Sequence, residues 1–273
     1  MFDVSATIVV YKNDLEILSD TVNSFLNTTL CVHLYIVDNS PTNQIGEYFR
    51  DERIEYMFQN SNKGFGAGHN VIMKQPNKMG KYHLVLNPDI KFNAGVLETI
   101  FEYMEAHPSV GNIIPRVIYP DGVLCPVCRL LPTPLDWIFR LAIPFRKLRN
   151  QLNRRFLLLD FDLNNAINAP FLSGCFMFLR RSAIEDIGVF DEHIFMYGED
   201  TDLNRRIHRK YNTLYYPSVC IIHHGAVASH RNFRLMYIHI KSAVYYFYKW
   251  GWFFDKERKV FNTRVLTLYG KGK

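Results

Sequence analysis

The sequence predicts an α/β fold: a mixed β-sheet flanked by helices, followed by a C-terminal helical extension rich in aromatic and basic residues. Two observations carry this prediction. Short apolar, β-branched runs alternate with segments whose apolar residues recur at helical spacing. Polar side chains then follow the runs where each predicted strand ends, which is where open α/β sheets bind their ligands.

The chain opens with a predicted β-α-β unit. Val4–Tyr11 is a continuous apolar run, as expected for a strand buried on both faces. A helix is predicted over residues 15–26, and a second strand, Val32–Val37, leads directly into Asp38. Because such units form parallel pairs, we expect Tyr11 and Asp38 to lie at the same edge of the sheet.

The first helix has a recognisable start signal. Asn13 and Glu16 are three residues apart and precede the apolar stripe, which is the spacing of a capping box. We therefore expect Asn13 to cap this helix.

A glycine-rich loop follows the third predicted strand, Ile54–Phe58. Within residues 60–70 three glycines alternate with other residues before an apparent helix, and glycine lets backbone approach a phosphate-bearing ligand closely. His69 stands where a dinucleotide fingerprint requires its third glycine, and the loop follows the third strand instead of the first. The loop therefore does not fit that fingerprint.

The fourth predicted strand, Tyr82–Leu86, ends in Asn87-Pro88-Asp89. A carboxylate and an amide on either side of a proline make a rigid turn that projects oxygen ligands, which suits Mg²⁺ or Mn²⁺. An ordinary turn is the alternative. A helix is predicted beyond it, over residues 92–104.

Three more strands are predicted in the second half of the chain. They are Val110–Ile118, Pro170–Leu179, which carries Ser173-Gly174, and Thr213–Ile222, which ends in His223-His224. Two histidines at a strand end are consistent with a metal or phosphate site, and a structural role is the alternative.

Residues 191–206 contain five carboxylates, contributed by Asp191, Glu192, Glu199, Asp200 and Asp202. A helix is predicted to begin near Glu199, so three of these acids crowd its first turn, where the helix dipole favours negative charge. The window therefore predicts either a well-capped surface helix or an acidic site.

Two segments depart from the α/β pattern. Residues 119–168 lack periodicity, and within them the apolar stretch 130–145 precedes the basic stretch 146–155. Residues 232–254 interleave aromatic and basic side chains. Both patterns are typical of elements that meet an anionic membrane surface. The alternatives are an insertion that folds over the core and a tail that packs under the domain.

Length, composition and net charge limit the size of the core and the kinds of partner that the protein can bind. The 273 residues, 48% hydrophobic, can bury the core of one domain plus an appendage. The net charge of +6 and a pI of about 9.0 favour an anionic partner such as a nucleotide, a phosphate-bearing lipid or an anionic membrane face, and the excess is too small to indicate nucleic acid.

Cysteine usage and the N-terminus bear on the cellular compartment. The five cysteines show no paired framework, so reduced thiols are expected. Cys125 and Cys128 resemble half of a zinc site or a redox pair, but a second CxxC is missing. No signal-peptide pattern opens the chain, and no apolar run approaches the roughly 18 residues that span a bilayer. The sequence predicts a protein that stays in the cytoplasm.

Taken in order, the strand-end features resemble those of family 2 glycosyltransferases of the GT-A fold, a Rossmann-like sheet that binds nucleotide sugars. The features that carry the resemblance are Tyr11, Asp38, the Gly64 loop, Asn87-Pro88-Asp89, Ser173-Gly174, Glu199-Asp200 and His223-His224. The chain looks most like the rhamnosyltransferase branch that assembles O-antigens and related bacterial polysaccharides. The resemblance covers about residues 4–230.

This resemblance implies an organisation of the chain. Residues 1–230 would form the GT-A domain, with residues 119–168 as an insertion near the acceptor or the membrane. Residues 231–273 would form an extension that contacts the membrane interface or a second copy of the chain.

The resemblance also implies roles for the donor side. Tyr11 and Asp38 would hold the nucleotide base and ribose. Four residues would approach the nucleotide sugar, namely Asn62, Lys63, Gly64 and Asn70. Asn87 replaces the first carboxylate of the family's Asp-X-Asp motif, so Asp89 would be the direct ligand of Mg²⁺ or Mn²⁺ and Asn87 a polar neighbour. His224, or with less support His223, would complete the metal shell.

On the acceptor side, the resemblance implies that Asp200 is the general base and that Glu199 orients the acceptor hydroxyl. Asp191 and Asp202 are the alternatives for the base. Ser173, Gly174 and Asp191 would lie on the side of the site where the acceptor enters.

The implied activity is inverting transfer of a sugar, with dTDP-rhamnose indicated by likeness to the subfamily, onto a glycan linked to polyprenyl diphosphate. The work would be done by a peripheral protein on the inner face of the cell membrane, in O-antigen or capsule synthesis. Two other classes stay open. A nucleotidyltransferase would need a basic, glycine-containing loop after the first strand, where residues 11–14 supply one lysine and no glycine. A non-catalytic carbohydrate-binding scaffold would not need Asp89 and Asp200 together.

Overall fold

The computed structural model describes residues 2–138, 145–225 and 233–270. The strands are β1 Val4–Val10, β2 Val32–Asp38, β3 Ile54–Phe58, β4 Tyr82–Leu86, β5 Ile90–Lys91, β6 Val110–Ile118, β7 Cys128–Arg129, β8 Ile167–Asn168, β9 Phe171–Leu172, β10 Phe176–Arg180 and β11 Asn212–His223. The main sheet has nine of these strands, in the order β3-β2-β1-β4-β10-β6-β11-β5, with β8 beside β11. A small second sheet pairs β7 with β9.

Helices connect and cover these strands. They are α1 Leu15–Leu26, α2 Phe65–Met73, α3 Val96–Ala106, α4 Pro134–Trp137, α5 Arg146–Phe156, α6 Arg181–Ile187, α7 Glu199–His208, α8 Phe233–Trp250 and α9 Lys256–Tyr269. Within the described ranges, no helix combines the length and the apolar character that crossing a membrane would require.

The sheet is mixed, as predicted. β1 runs parallel to β2 and β4, and β2 runs parallel to β3, whereas β10 is antiparallel to both β4 and β6. The register pairs Val10 with Asp38 and Asp38 with Phe58. The carboxyl ends of the first four strands therefore share one edge, where the predicted nucleotide-binding residues follow them.

The sheet is buried on both faces, which explains why its strands are almost continuously apolar. Successive residues of a strand point to opposite faces, and Leu84 belongs to one buried cluster while Val85 belongs to the other. The first cluster contains residues of α1 and α3, and the second contains Leu203 and Ile207 of α7. The apolar face of α7 is therefore buried against the sheet.

Two local predictions were wrong. Asp14, not Asn13, caps α1, because its carboxylate accepts hydrogen bonds from the amides of Glu16 and Ile17, whereas Asn13 accepts one from the amide of Tyr11. The single strand predicted over residues 170–179 is two strands, β9 and β10, in different sheets. The chain bends between them at residues 173–175, which places Ser173 and Gly174 beside the site.

The C-terminal extension is helical, as predicted, and α8 and α9 pack on the domain. Tyr246 and Phe247 of α8 belong to the main buried cluster. Arg205 of α7 is buried and forms 2.7 Å ion pairs with Asp255 and Glu257 at the start of α9. The extension therefore contributes to the core. The predicted division of the chain at residue 230 stays a prediction, and Phe139, Leu141 and Asn232 of the predicted membrane segments lie outside the described residues.

Candidate active site

A cavity of about 660 Å³ lies beside the carboxyl-terminal edge of the sheet, between the strand ends, the start of α7 and helix α8. It brings together six residues that the sequence predicted for the site, namely Asn87, Ser173, Gly174, Glu199, Asp200 and, as the alternative metal ligand, His223. The remaining wall comes from Phe65, Tyr119, Cys125, Arg129, Trp137, Cys175, Met196, Tyr197, Leu235, Met236 and His239.

The acidic window divides into two groups with different surroundings. Asp191 and Asp202 face α8, where Lys249 Nζ lies 2.7 Å from a carboxylate oxygen of each. The indole of Trp250 also donates to Asp202 at 2.8 Å. These contacts hold α8 against the domain, and neither Asp191 nor Asp202 lines the cavity. The acceptor-side role predicted for Asp191 therefore stays a prediction.

Glu192 is engaged as well, through a 2.6 Å ion pair with Lys74. Glu199 and Asp200 differ from the other three acids of the window, because no basic side chain of the described ranges lies within 4.0 Å of either. These two acids are the ones that line the cavity.

Asp200 is held by backbone donors. The amide of Gly174 donates to Oδ2 at 2.9 Å, and the amide of Thr201 donates to Oδ1 at 2.7 Å. The buried Asn204, one turn further along α7, donates to the carbonyl of Leu172 on β9 at 2.8 Å. This link joins the start of α7 to the bend at residues 173–175, so the carboxylate and the bend keep a fixed relation.

The protonation states of Glu199 and Asp200 depend on each other. Burial and the adjacent Asp200 charge raise the pKa of Glu199 to about 8, and burial also raises the pKa of Asp200, against the opposing effects of Arg129 and the two amides. Oε2 of Glu199 is buried without a hydrogen-bond partner in the described structure, whereas Asp200 accepts two amide donors. Glu199 is therefore the group that keeps a proton near neutral pH, and Asp200 is the group that ionises.

A second cluster surrounds Asp89, two residues after Asn87 in the chain. His223 Nε2 lies 3.3 Å from Asp89 Oδ1, and the imidazole also interacts with the thiol of Cys125. Burial lowers the pKa of His223, but the Asp89 carboxylate and Cys125 outweigh this effect and raise it to about 9. His224, the predicted metal ligand, is exposed, and its backbone amide donates to the carbonyl of Asp89 at 2.9 Å. The geometry thus pairs Asp89 with His223.

This cluster fits a divalent cation whose remaining ligands come from elsewhere. Asp89 Oδ1 is buried and receives no well-formed hydrogen bond, so it has the free acceptor capacity that a hard cation uses. Within the described ranges, no group of three or more His, Cys, Asp or Glu side chains is arranged to hold a metal ion. A bound cation would therefore take several ligands from substrate or water.

The edge beyond this cluster carries the predicted nucleotide-binding residues. Asp38 is buried, and its two oxygens accept hydrogen bonds from the amide of Ser40 at 2.8 Å and from the hydroxyl of Tyr56 at 2.6 Å. These contacts fix the carboxylate at the end of β2. Tyr11 is about half exposed and stands at the end of the neighbouring strand, so its ring is available to a ligand.

The Gly64 loop is fixed by a close approach of two chain segments. Gly64 has φ +102°, and a Cβ at this position would lie 2.2 Å from the carbonyl oxygen of Phe195. Asn62 turns the loop by accepting the amide of Gly64 at 3.0 Å, and the exposed Lys63 stands between them. Only glycine fits here, and the contact ties the loop to the segment that precedes α7.

Asn70, which was predicted to approach the nucleotide sugar, makes its hydrogen bonds within the protein. It is buried on α2, where it exchanges hydrogen bonds of 2.9 and 3.0 Å with the backbone of Phe190 and donates to Glu192 at 2.8 Å. Its polar atoms are thus used within the protein, and it anchors the acidic window instead of pointing at a ligand.

Several cavity residues escaped prediction. Arg129 and Trp137 lie in the stretch without periodicity, and Leu235, Met236 and His239 lie on α8. The sequence offered one signal, since Cys125-Pro-Val-Cys128 is an unusual motif immediately before Arg129.

A mixed sheet with a cavity beside its strand ends, lined by the carboxylates of Glu199 and Asp200, is the arrangement expected for a glycosyltransferase of the GT-A fold. Residues 6–188 match the sequence profile of Glycosyl transferase family 2. The chain belongs to this family.

Among curated proteins, the chain is 26% identical over 220 residues to N-acetylglucosaminyl-diphospho-decaprenol L-rhamnosyltransferase of Mycobacterium tuberculosis, covering 76% of this chain and 71% of that protein. It is 27% identical over 217 residues to the low-salt glycan biosynthesis hexosyltransferase Agl10 of Haloferax volcanii, covering 76% of this chain and 62% of that protein. The predicted likeness to rhamnosyltransferases is confirmed.

Solved structures share the fold. GalNAc-T7 with UDP, GalNAc and Mn²⁺ gives a TM-score of 0.62 at 13% identity, covering 81% of this chain and 43% of the other. The mannosyltransferase PcManGT from Pyrobaculum calidifontis, in complex with GDP-Man and Mn²⁺, gives 0.58 at 12% identity, covering 89% of this chain and 64% of the other. At this identity the likeness is one of fold, and the predicted GT-A fold is confirmed.

Proposed function

We propose that this protein is an inverting glycosyltransferase that moves a sugar from a nucleotide diphosphate sugar to a lipid-linked glycan during synthesis of a cell-surface polysaccharide. The observation that carries the proposal is the division of the acidic window. Of its five acids, only Glu199 and Asp200 face the cavity without a basic partner in the described structure. A transfer needs a base on the acceptor side, and these two acids supply it.

The chemistry is a single displacement. Asp200 takes the proton of the acceptor hydroxyl as its oxygen bonds to the anomeric carbon of the sugar. The bond from that carbon to the nucleotide diphosphate breaks on the opposite face, so the configuration inverts. Glu199, which keeps its proton near neutral pH, is a hydrogen-bond donor available to the acceptor. Because Gly174 and Thr201 hold Asp200, the base needs no rearrangement to act.

A divalent cation, Mg²⁺ or Mn²⁺, would neutralise charge on the departing diphosphate, a contribution on the order of several kcal/mol. Asp89 would bind it directly. His223 is placed beside Asp89, and His224 follows on the chain as the alternative second ligand. Protein side chains then provide few ligands, so the donor diphosphate has to complete the shell. Two relatives of this fold contain Mn²⁺ together with a nucleotide or a nucleotide sugar, which supports testing Mn²⁺ first.

The curated relatives indicate which donor and acceptor to test. The mycobacterial relative is named for L-rhamnose transfer to N-acetylglucosaminyl-diphospho-decaprenol, so dTDP-rhamnose and a sugar on polyprenyl diphosphate are the pair to test first. On the donor side, we expect Tyr11, Asp38, Asn62 and Lys63, which follow the ends of β1, β2 and β3, to bind the nucleotide sugar.

We further infer that the protein works as a peripheral protein on the inner face of the membrane. Helix α8 has an apolar stripe in addition to its buried face, formed by Phe233, Tyr237, Ile240, Val244 and Tyr248, which are 84%, 67%, 37%, 43% and 82% exposed. The same helix contributes Leu235 and Met236 to the cavity wall. A lipid-linked acceptor that enters the cavity would therefore meet apolar side chains at its mouth. A second copy of the chain is the alternative cover for the stripe.

The test is a panel of nucleotide sugars, with dTDP-rhamnose included, offered to the full chain with Mn²⁺ and a lipid diphosphate sugar as the acceptor. The expected result is release of nucleoside diphosphate together with an extended acceptor, and loss of both in Asp200→Asn. Release of pyrophosphate would identify a nucleotidyltransferase instead. Sugar binding without turnover of any donor would identify a scaffold.

The metal arrangement has its own measurement. Calorimetry should show weak Mn²⁺ binding to the protein alone and tighter binding when nucleoside diphosphate is present, with Asp89→Asn abolishing the increase. Tight Mn²⁺ binding without nucleotide, or full activity in excess EDTA, would rule the arrangement out.

A further inference from the structure

Arg129 lines the cavity, and contacts within the protein orient its guanidinium without forming an ion pair in the described structure. It lies on β7, opposite Phe171 of β9, and its guanidinium carbon stands 5.1 Å from the centre of the Phe171 ring. Its Nε donates to the carbonyl of Pro126 at 2.8 Å. These two contacts orient the guanidinium plane, and they use one of its five N–H donors.

The terminal nitrogens of Arg129 have no acceptor in the part of the chain that the structure describes, and no carboxylate there lies within 4.0 Å of them. The arginine nevertheless lines the same cavity as Glu199 and Asp200. An oriented guanidinium with both terminal amines unused, facing a cavity, has the geometry that binds a phosphate or carboxylate with two parallel hydrogen bonds.

We propose that Arg129 binds a phosphate group of a substrate in this cavity, and that the group is the diphosphate of the acceptor. The proposal rests on the proposed function and extends it to how the acceptor is recognised. A neutral glycan would leave the guanidinium without a partner, whereas a sugar diphosphate brings its own negative charge.

The acceptor is favoured as the source because of where Arg129 acts. Arg129 lines the cavity together with Asp200, and its positive charge lowers the pKa of that carboxyl. In a monosaccharide linked to diphosphate, the attacked hydroxyl and the phosphate are one sugar ring apart, so a base and an arginine in one cavity can hold both. The donor diphosphate is the other source of the same chemistry, since Arg129 also acts electrostatically on Cys125, which contacts His223.

The experiment compares Arg129→Gln and Arg129→Lys with the parent protein. The matched control is Arg50→Gln. Like Arg129, Arg50 donates its Nε–H to the carbonyl oxygen three residues earlier in the chain, here that of Glu47 at 3.1 Å, but it lies on the exposed surface outside the cavity. Thermal unfolding of each variant establishes that it is folded. Two acceptors carry the same sugar, one linked to a lipid diphosphate and one to a neutral alkyl chain.

The expected result is a KM for the diphosphate acceptor that rises tenfold or more in Arg129→Gln, the scale of one lost charged hydrogen bond, and by less in Arg129→Lys. The KM for the neutral acceptor and the affinity for nucleoside diphosphate should stay unchanged. Weaker binding of nucleoside diphosphate, with equal effects on both acceptors, would assign Arg129 to the donor phosphate instead. If none of these quantities changes, Arg129 is not a phosphate ligand.

A binding measurement separates this inference from the proposed function. Inorganic pyrophosphate and nucleoside diphosphate are titrated calorimetrically into the parent protein and the three variants, which requires no turnover. If the parent transfers no sugar but binds pyrophosphate through Arg129, the phosphate site stands and the proposed activity falls. If the parent transfers sugar while Arg129→Gln keeps every affinity and KM, the proposed activity stands and the phosphate site at Arg129 falls.

Discussion

The backbone amide of Gly174 donates a 2.9 Å hydrogen bond to Oδ2 of Asp200. The donor lies in the bend between β9 and β10, and the acceptor lies in the first turn of α7, so the bond joins two elements 26 residues apart in the chain. The position of the candidate base is therefore set by the absence of a side chain at residue 174.

Gly174→Ala tests this relation. An added Cβ would stand 3.1 Å from Cβ of Asp200 and 3.4 Å from its Oδ2, closer than the 3.5–4.0 Å or so of packed carbon atoms. The carboxylate has to shift by a few tenths of an ångström. We expect kcat to fall by roughly tenfold, because small misplacements of a reacting group are costly, while donor affinity stays the same. A fall in donor affinity at unchanged kcat would contradict the assignment.

Asp200→Asn removes the base and preserves the shape of the side chain. We expect transfer to fall by at least about 10²-fold, as is typical when a general base is lost, with donor binding retained in calorimetry. Asp191→Asn is the matched control, because Asp191 belongs to the same window but pairs with Lys249 outside the cavity. It should lose stability and keep near-normal transfer. Normal transfer by Asp200→Asn together with inactive Asp191→Asn would reverse the assignment.

Glu199→Gln tests the protonation of the acid pair through stability. The pKa of Glu199 rises in the folded protein from 4.5 to about 8, with burial as the main cause and the Asp200 charge as the second. A raised carboxyl pKa favours folding while the group is protonated, so this contribution is complete below pH 4.5 and is lost as pH rises through about 8. Between these limits, the melting temperature of the parent should decline relative to that of Glu199→Gln. Parallel melting profiles across this range would show that Glu199 is not the protonated member.

The strands were predictable because burial on both faces of a sheet leaves a local signature. Val4–Val10 and Tyr82–Leu86 are largely apolar, with Ser5, Thr7 and His83 as the polar exceptions, and a buried parallel strand admits few polar residues. The capping of α1 was misassigned by one residue, because Asn13 and Asp14 are both good caps and the choice depends on backbone angles that the sequence does not display. The bend at residue 174 escaped for a similar reason, since an apolar run on each side of Ser173-Gly174 looks like one strand.

The roles of the acids could not be read from the window itself. Asp191 and Asp200 have similar neighbours in sequence, and what separates them is Lys249, which comes 58 residues after Asp191 and pairs with it only because α8 packs on this side of the domain. Successive side chains at a strand end point to opposite faces, so His223 and His224 point in different directions. Which of the two imidazoles reaches Asp89 therefore depends on the exact register of the strand end, which the sequence does not specify. Arg129 needed the tertiary structure altogether, because nothing in its local pattern indicates an unpaired cation.

Lys249→Met should destabilise the protein. It removes the cation shared by Asp191 and the fully buried Asp202, although Asp202 keeps its 2.9 Å contact with Arg206. Breaking a buried pair costs about 3–5 kcal/mol, and since Lys249 is a quarter exposed we expect about 2 kcal/mol in denaturant unfolding. Lys241→Met, an exposed lysine on the same helix, is the control and should change stability little. Equal effects of the two changes would show that the ion pairs do not hold α8.

The last prediction concerns the membrane. Helix α8, which carries the apolar stripe, and the basic helix α5 both contact α4, so apolar and basic surface is available on neighbouring elements. Tyrosine and phenylalanine rings are stable at headgroup level, and each nearby Lys or Arg gains about 1 kcal/mol from an anionic surface. We expect the full chain to float with anionic vesicles at low salt and to be released as salt rises, because exposed charges are screened beyond about 8–10 Å.

Two variants separate the apolar and basic contributions. Replacing Phe233, Tyr237 and Tyr248 by Ser should weaken binding at every salt concentration, since these rings are exposed and their loss removes apolar contact. Neutralising α5 should weaken binding mainly at low salt, through Arg146, Lys147, Arg149 and Arg155, with Arg154 retained because it pairs with Asp160. A control matched in the number of charges removed neutralises Arg50, Lys81, Lys91 and Lys210, of which the three lysines form exposed ion pairs, and it should float like the parent. Sedimentation of the parent as a dimer that ignores vesicles at all salt concentrations, and that the serine variant converts to a monomer, would assign the stripe to a second copy of the chain instead.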